Sequence, residues 1–142
     1  MGRIHSYEHY AQYYETDKMN VVHHSNYIRW FEEARVDFMN AVGLPYDKME
    51  ESGIMMPVLS VDCKYISPVR FGDTVIIETA VTLFKGIKIQ MSYKVRDKQT
   101  GELRTVGSTS HCFTNTSLKP VRIQKLSPET AKIFTDLLTD DF

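Results

Sequence analysis

The sequence predicts an α+β domain in which one long amphipathic helix packs against a largely antiparallel sheet. An aromatic-rich segment leads into a helix with a wide apolar stripe, and four strand-like segments follow, joined mostly by short turns. Such connections suit antiparallel neighbours, because parallel strands need a long crossover between them. A helix with aromatic residues along one side needs a large flat surface to cover it, which a sheet provides.

The first two predicted elements, a strand and the long helix, lie before residue 43. The tyrosine-rich segment from His5 to Glu15 alternates weakly in hydrophobicity and predicts a strand. A loop from Thr16 to His24 leads to the helix, for which Ser25 or Asn26 is the expected N-cap. Steps of three and four residues separate the apolar positions of the stripe, which are Tyr27, Trp30, Phe31, Ala34, Phe38, Met39 and Val42.

A second short helix and an edge strand follow. Gly43 is a good stop for the long helix, and Tyr46 to Ser52 predicts another helical turn or two. Val58 to Val69 predicts a strand that carries Pro57 at its start and Pro68 near its end. Proline cannot donate to a sheet ladder, so we expect this strand at an edge.

The rest of the chain predicts three strands and a C-terminal helix. The strand segments run from Thr74 to Phe84, from Ile87 to Val95 and from Leu103 to Thr114. The second of these alternates most cleanly between apolar and polar residues. Ser127, followed by proline and glutamate, is typical of a helix start.

Length and composition narrow the function classes. With 142 residues, a single domain spanning 1–142 is expected. The formal net charge of -1 argues against nucleic acid or a membrane surface as a partner. No apolar run approaches the roughly 20 residues of a membrane span. The two cysteines, Cys63 and Cys112, do not form a disulfide framework, so we expect a cytoplasmic protein with free thiols.

The loop and helix start carry a recognisable motif, ETDKMNVVHHSNYIRWFEEAR. It resembles the hallmark of the 4-hydroxybenzoyl-CoA thioesterase-like (Tol-Pal-associated) acyl-CoA thioesterases of the hotdog superfamily. In that pattern an aspartate follows a strand, and about seven residues later a histidine or aromatic residue precedes the helix. The segment from Tyr65 to Asp73 and the Lys119-Pro120 pair also match, so the resemblance spans roughly residues 10–121.

One departure from the pattern lies directly after the aspartate. The family often has glycine there, whereas this chain has Lys18, Met19 and Asn20. Asn20 can tolerate the left-handed conformation that glycine would otherwise supply.

The resemblance implies a fold, a reaction and an assembly. The fold is a five-stranded curved antiparallel sheet wrapped around one long central helix. The reaction is hydrolysis of an acyl-CoA thioester without a metal or another cofactor. Two subunits join their sheets with the site between them, which leaves a homodimer or a homotetramer open.

The resemblance assigns catalysis to Asp17, as the nucleophile or as the general base for a water molecule. One carboxylate suffices because the leaving thiol has a pKa of roughly 8.5 and needs little help from an acid. The structural alternative is that Asp17 only caps a turn. His24 could orient the acyl group or a water molecule, or it could serve only as a helix-start histidine that bonds a nearby carbonyl. We expect the backbone N–H groups around His24 and Ser25 to polarise the carbonyl, because the first N–H groups of a helix lack internal partners.

The remaining candidates would contact the substrate. Ser25, Asn26 and Tyr27 match the family's helix start, although capping and core packing explain Asn26 and Tyr27 equally simply. Val58 and Ser60 could line an acyl pocket, and Lys119 and Arg122 are candidate contacts for the phosphates of CoA. The spacing of histidines, cysteines and carboxylates predicts no metal site. We interpret His111 as a strand histidine satisfied by its neighbours.

Three alternative functions stay open at this point. The substrate could be an acyl-carrier protein instead of CoA. A hydratase or dehydratase on the same fold would place a histidine within the central helix, and residues 27–42 contain none. A non-catalytic module that binds acyl-CoA is also compatible with the sequence, although the presence of Asp17 disfavours it.

Overall fold

The computed structural model describes residues 2–142. Within that range the chain forms five strands, four helices and one 3₁₀ turn over Tyr13–Glu15. Their bounds are β1 His5–Tyr10, α1 Ser25–Ala41, α2 Tyr46–Glu51, β2 Val58–Tyr65, β3 Thr74–Lys85, β4 Lys88–Asp97, β5 Leu103–Cys112, α3 Ile123–Leu126 and α4 Pro128–Leu137. Met1, the first residue of the predicted domain 1–142, lies outside the described residues.

The five strands form one sheet in the order β1-β3-β4-β5-β2. Every neighbouring pair is antiparallel, as the short connections predict. β2 pairs only with β5, so the prediction of an edge strand is confirmed. Its side chains are exposed over almost its whole length, which distinguishes it from the half-buried central strands.

The long helix α1 buries its apolar stripe against this sheet. Trp30, Phe31 and Phe38 are fully buried, and the alternating residues of β4 face them. The ring of Phe31 stacks on that of Tyr93, with 4.4 Å between centroids and 8° between planes. This close approach requires a glycine on β5, because a Cβ added at Gly107 would lie 2.5 Å from Phe31 Cε2. The predicted α+β class is therefore confirmed.

The first strand is shorter than its prediction. β1 ends at Tyr10 instead of Glu15, because the chain turns into the 3₁₀ turn. The Glu15 N–H donates to Gln12 O at 3.0 Å, and the Glu15 carboxylate accepts from Gln12 N–H at 2.8 Å. A side chain that closes its own turn in this way competes with the strand ladder.

The start of α1 also differs from its prediction. The N-cap is His24, which provides no side-chain cap, and Ser25 is already helical. Ser25 Oγ and Asn26 Nδ2 instead bond to residues that precede the helix. The end of the helix agrees with expectation, since Gly43 adopts φ +83°.

The C-terminal segment agrees with the prediction in its main helix. Ser127 caps α4 by accepting the Thr130 N–H at 3.2 Å. The single-turn helix α3 was not predicted, because four residues are too few to show a periodicity. The predicted long strands β2 and β5 each end earlier than expected, at Tyr65 and Cys112.

Candidate active site

The predicted catalytic loop is a tight hairpin. Thr16 and Val22 form an antiparallel bridge, and the Asp17 N–H donates to Val21 O at 3.0 Å. The Asn20 N–H then returns to Asp17 O at 2.9 Å. Asn20 closes the turn at φ +64°, the left-handed conformation that asparagine can tolerate in place of glycine. The hairpin holds Asp17 on a defined backbone.

The two carboxylate oxygens of Asp17 have different environments. Oδ1 accepts the Met19 N–H at 2.8 Å, which is the turn-capping contact that the structural alternative proposes. Oδ2 accepts no hydrogen bond from residues 2–142. The side chain is half-buried. One oxygen therefore fixes the carboxylate in the loop, and the other has no hydrogen-bond partner among the described residues.

The backbone at the start of α1 leaves one amide uncommitted. The Asn26 N–H donates to His23 O at 3.0 Å, and the Tyr27 N–H donates to His24 O at 3.4 Å. The Ser25 N–H lies 3.2 Å from His23 Nδ1, which can accept from it. The His24 N–H makes no hydrogen bond within residues 2–142. The helix dipole favours negative charge at this end, so this amide is the best-placed donor for an anionic oxygen.

Contacts across three segments fix the hairpin to the helix. Glu15 O accepts both the His23 N–H at 2.8 Å and the Asn26 Nδ2 amide at 2.9 Å. The Val22 N–H donates to Val69 O, also at 2.8 Å. Asn26 is buried, and its side-chain amide donates hydrogen bonds to the backbone carbonyls of Glu15 and His23. These contacts make Asn26 a joint between the loop and the helix.

A cleft of about 290 Å³ opens beside this joint. It is largely apolar, and its lining consists of Asp17, Met19, Val21, Val22, His24, Tyr27, Tyr65, Ile66, Ser67 and Pro68. The rings of Tyr27 and Tyr65 meet edge to face at 5.3 Å, and the Tyr65 hydroxyl donates to His24 O at 3.3 Å. The fold thus brings Asp17, His24 and Tyr27 together around one concave surface.

A larger cavity of about 540 Å³ lies over β2, β4 and β5 and includes Lys64, Lys94 and Ser108. We assign the candidate site to the smaller cleft, because the carboxylate with a partner-free oxygen and the uncommitted helix-start amide both belong to it. Volume alone does not identify a reacting centre, whereas convergent polar groups beside an apolar wall do.

Other predicted contacts lie elsewhere in the same chain. Val58 pairs with His111 at the far end of β2 from Tyr65, and Ser60 Oγ bonds Ser110 Oγ on β5. Arg122 lies beside the turn at Gly86, where its Nη1 would be 2.8 Å from an added Cβ. Lys119 bonds Asn115 through its backbone. None of these four candidate residues, Val58, Ser60, Lys119 and Arg122, lines the cleft that contains Asp17.

The phenols that flank the cleft are held in their neutral form. Burial, followed by a hydrogen bond with Cys63, raises the pKa of Tyr65 to about 12. Burial also raises the pKa of Tyr27. Both hydroxyl groups therefore remain hydrogen-bond donors at neutral pH, and neither adds negative charge beside Asp17.

Sequence reasoning did not single out Glu15, which lies just before the hairpin. Glu15 is only 4% exposed, and its carboxylate accepts from Gln12 N–H, from Trp30 Nε1–H at 2.7 Å and from His9 Nε2 at 2.9 Å. Burial alone would raise the pKa of Glu15, but these hydrogen bonds hold it below its ordinary value. The available signal was the indole N–H of Trp30, since a buried tryptophan needs an acceptor.

The described part of the chain offers neither a metal-binding cluster nor a membrane-spanning helix. No cluster of three or more His, Cys, Asp or Glu side chains in residues 2–142 has the arrangement needed to hold a metal ion. None of the helices in the same range combines the length and the apolar character that crossing a bilayer requires.

A scan against protein families matches residues 12–134 to the thioesterase-like superfamily. The chain belongs to the thioesterase-like superfamily. The match covers the hairpin, α1, the whole of β2 to β5 and most of α4. The predicted class of enzyme, a thioester hydrolase, is thereby confirmed at the level of the family.

Individual relatives agree with this assignment. YneP of Bacillus subtilis, provisionally named an acyl-CoA thioesterase, is 32% identical over 120 residues, which are 84% of this chain and 86% of YneP. The DHNA-CoA thioesterase of Staphylococcus aureus superposes with a TM-score of 0.87 at 32% identity, covering 93% of this chain and 89% of that one. A hypothetical protein from Thermus thermophilus gives a TM-score of 0.84 at 31% identity, covering 92% and 96%. The predicted hotdog fold is confirmed by these superpositions.

Proposed function

We propose that the protein hydrolyses an acyl-CoA thioester to the free acid and CoA, with Asp17 as the reacting carboxylate. One observation carries the proposal: the partner-free oxygen of Asp17 and the uncommitted N–H of His24 belong to residues that line the same cleft. The acyl-CoA thioesterase name of the 32% identical relative from Bacillus subtilis supports the substrate class.

The proposed chemistry uses attack and polarisation together. Asp17 Oδ2 attacks the thioester carbon, or takes a proton from a water molecule that attacks it. The carbonyl oxygen gains negative charge in the tetrahedral state, and the His24 N–H together with the helix dipole stabilises that charge. The CoA thiolate then leaves without an acid, because its conjugate thiol has a pKa of roughly 8.5. If Asp17 is the nucleophile, a water molecule then cleaves the mixed anhydride and releases the free acid and the Asp17 carboxylate. If Asp17 is the base, the water oxygen has already completed the acid, and the proton on Asp17 passes to the thiolate or to solvent.

The role of the Asp17 hairpin follows from its hydrogen bonds. Met19 N–H holds Oδ1, so the carboxylate does not have to be ordered at the moment of reaction. Tyr65 and Tyr27 form an aromatic wall on one side of the cleft. The His24 side chain is exposed beside this wall and is available to orient the acyl group or a water molecule.

We also propose that the active form is a homodimer or a homotetramer built on the β2 edge. β2 offers an unpaired row of backbone groups, and the side chains of Val58, Leu59, Val61, Tyr65 and Ile66 around it are exposed. A second copy that paired along this edge would cover those side chains. It would also bring another chain next to Tyr65, and so next to the cleft, where Lys119 and Arg122 of a neighbouring copy are candidate contacts for the CoA phosphates.

Substitution of Asp17 tests the assignment. Asp17→Asn keeps an oxygen that can accept the Met19 N–H but removes the nucleophile or base, so kcat on the best acyl-CoA should fall by roughly 10²-fold or more. The assay follows thiol release over a panel of acyl-CoA substrates, with the background from Cys63 and Cys112 subtracted. The matched control is Asp73→Asn, because Asp73 also caps a turn by accepting a backbone N–H, that of Arg70 at 2.9 Å.

The outcomes separate catalysis from turn capping. Equal activity of Asp17→Asn and Asp73→Asn would contradict the catalytic role of Asp17. His24→Ala should lose less activity than Asp17→Asn, since the proposed donor at His24 is its backbone N–H. Faster cleavage of acyl-carrier protein substrates than of acyl-CoA would replace CoA by the carrier protein as the natural acyl donor, and tight acyl-CoA binding without turnover would indicate a binding module.

A further inference from the structure

We propose that Glu15 and His9 act together as a positioning pair that holds the Asp17 hairpin in register with the start of α1. The inference rests on the proposed function, which makes that register important for catalysis. Neither residue lines the cleft, so the pair acts through the backbone that carries Asp17 and His24.

The carboxylate of Glu15 accepts three hydrogen bonds from three different residues. Oε1 accepts from Gln12 N–H at 2.8 Å and from His9 Nε2 at 2.9 Å, and Oε2 accepts from Trp30 Nε1–H at 2.7 Å. These donors belong to the residue that caps the 3₁₀ turn, to β1 and to α1, respectively. One buried carboxylate therefore links three segments of the chain, and each link is a charge-assisted hydrogen bond.

The backbone of Glu15 connects this anchor to both halves of the site. Its carbonyl oxygen accepts the His23 N–H and the side-chain amide of Asn26, which lie on either side of His24. Asp17 follows Glu15 by two residues in the chain. A displacement of Glu15 would therefore move the carboxylate of Asp17 and the helix-start amide relative to each other.

His9 lies between two carboxylates, and its hydrogen bond to Glu15 fixes the orientation of the ring. Nε2 faces Glu15 Oε1 at 2.9 Å, and Nδ1 faces Glu33 Oε1 at 3.3 Å. A carboxylate oxygen accepts hydrogen bonds, so Nε2 is the ring nitrogen that donates to Glu15. The Tyr7 hydroxyl donates to Glu33 and orients that carboxylate. The other neighbours of His9 are uncharged, namely the Trp30 ring at 4.6 Å and the β3 partner Val75.

β1 contains a matched control for this pair. His5, four residues before His9, makes a similar contact with Asp37 of α1 at 2.6 Å. The His5–Asp37 contact joins the same strand to the same helix, but Asp37 is about half-exposed and neither residue touches the hairpin. Loss of either pair should weaken the β1–α1 packing, whereas only loss of the Glu15–His9 pair should disturb the site.

The kinetic test compares Glu15→Gln and His9→Gln with His5→Gln on the best acyl-CoA. Misplacement of a reacting group by about 1 Å costs on the order of 10²-fold, so we expect kcat to fall roughly 10- to 100-fold in the first two variants. KM should stay within about twofold, because the cleft lining is unchanged. His5→Gln should keep kcat within about twofold even if its unfolding midpoint falls. Equal kcat in all three variants would overturn the proposal.

Two measurements decide the proposal without reference to activity. In the wild type, the imidazole ¹⁵N shifts of His9 should show a proton on Nε2, the nitrogen that faces Glu15, and a ring protonated on Nδ1 alone would overturn the proposal. Hydrogen exchange at the His23 amide, which donates to Glu15 O, should accelerate at least tenfold in Glu15→Gln and not in His5→Gln. A wild type that cleaves no acyl-CoA would refute the proposed function alone, since both measurements would still report on the pair.

Discussion

His111 should make the stability of the protein fall between pH 6.5 and pH 4, and the size of the effect follows from its surroundings. A directed chain of hydrogen bonds ends at this buried histidine. Arg35 Nη1 donates to the Tyr93 hydroxyl at 3.1 Å, which bonds Thr109 Oγ1 at 2.6 Å, which in turn bonds His111 Nε2 at 2.8 Å. His111 Nδ1 faces Met56 O at 3.4 Å. If Nδ1 donates to Met56 O and Nε2 accepts from the Thr109 hydroxyl, each donor in the chain faces one acceptor and the imidazole ring is neutral.

The pKa of His111 reflects this arrangement. Burial and then repulsion by the Arg35 guanidinium lower its pKa from 6.5 to about 4, although the bond to Met56 O acts in the opposite direction. The unfolded chain binds a proton near pH 6.5 while the native chain rejects it until about pH 4. Stability from this group is therefore complete above pH 6.5 and is lost as the pH falls toward 4. At about 1.4 kcal/mol per pH unit, the loss amounts to about 3 kcal/mol.

The assay is denaturant unfolding at fixed protein concentration between pH 4.5 and pH 7.5, followed by fluorescence of Trp30, the only tryptophan in the chain. His111→Gln supplies a donor and an acceptor without titrating, so its free energy of unfolding should depend less steeply on pH by up to about 1.4 kcal/mol per unit. His24→Gln, at an exposed position, serves as the control and should retain the wild-type slope. Parallel pH profiles for the wild type and His111→Gln would refute this account of the buried chain.

Two further substitutions test the local geometry. Gly107→Ala should lower the free energy of unfolding by about 1–3 kcal/mol, because the added Cβ meets the Phe31 ring and Asp62 O; an unchanged midpoint in urea would show that α1 can shift freely. Asn20→Ala should cost about 1 kcal/mol at φ +64°, whereas Asn20→Gly should stay within about 0.5 kcal/mol; equal unfolding midpoints for the two variants would argue against a left-handed residue at the tip of the hairpin.

The sequence predicted the elements whose side chains repeat with a clear period. The apolar stripe of α1 and the alternation along β4 each reflect burial against one surface, so the pattern and the packing have a common cause. His111 was also interpreted correctly as a satisfied strand histidine. Pro57 and Pro68 indicated the edge strand, because proline lacks the backbone N–H that a strand inside a sheet must donate to its neighbour.

The details around the site depended on contacts between distant segments. The sequence favoured Ser25 or Asn26 as the N-cap, but Asn26 bonds Glu15 O, eleven residues away, and this contact outweighs the local preference. The same competition shortened β1, where Glu15 closes its own turn. Glu15 itself was overlooked because its three hydrogen-bond partners come from separate segments of the chain. No residue spacing in the sequence indicates that these segments come together in the fold.

The exposed edge strand β2 has a consequence for handling the protein. One side of β2 has unpaired backbone N–H and C=O groups, and Val58, Leu59 and Val61 on this strand are exposed. Such an edge can pair with a strand of another molecule, so a folded chain whose β2 edge is uncovered is at risk of aggregation. Asp62 and Lys64 interrupt the apolar run and limit that risk. Loss of soluble material on storage is therefore expected to depend on whether this edge is covered.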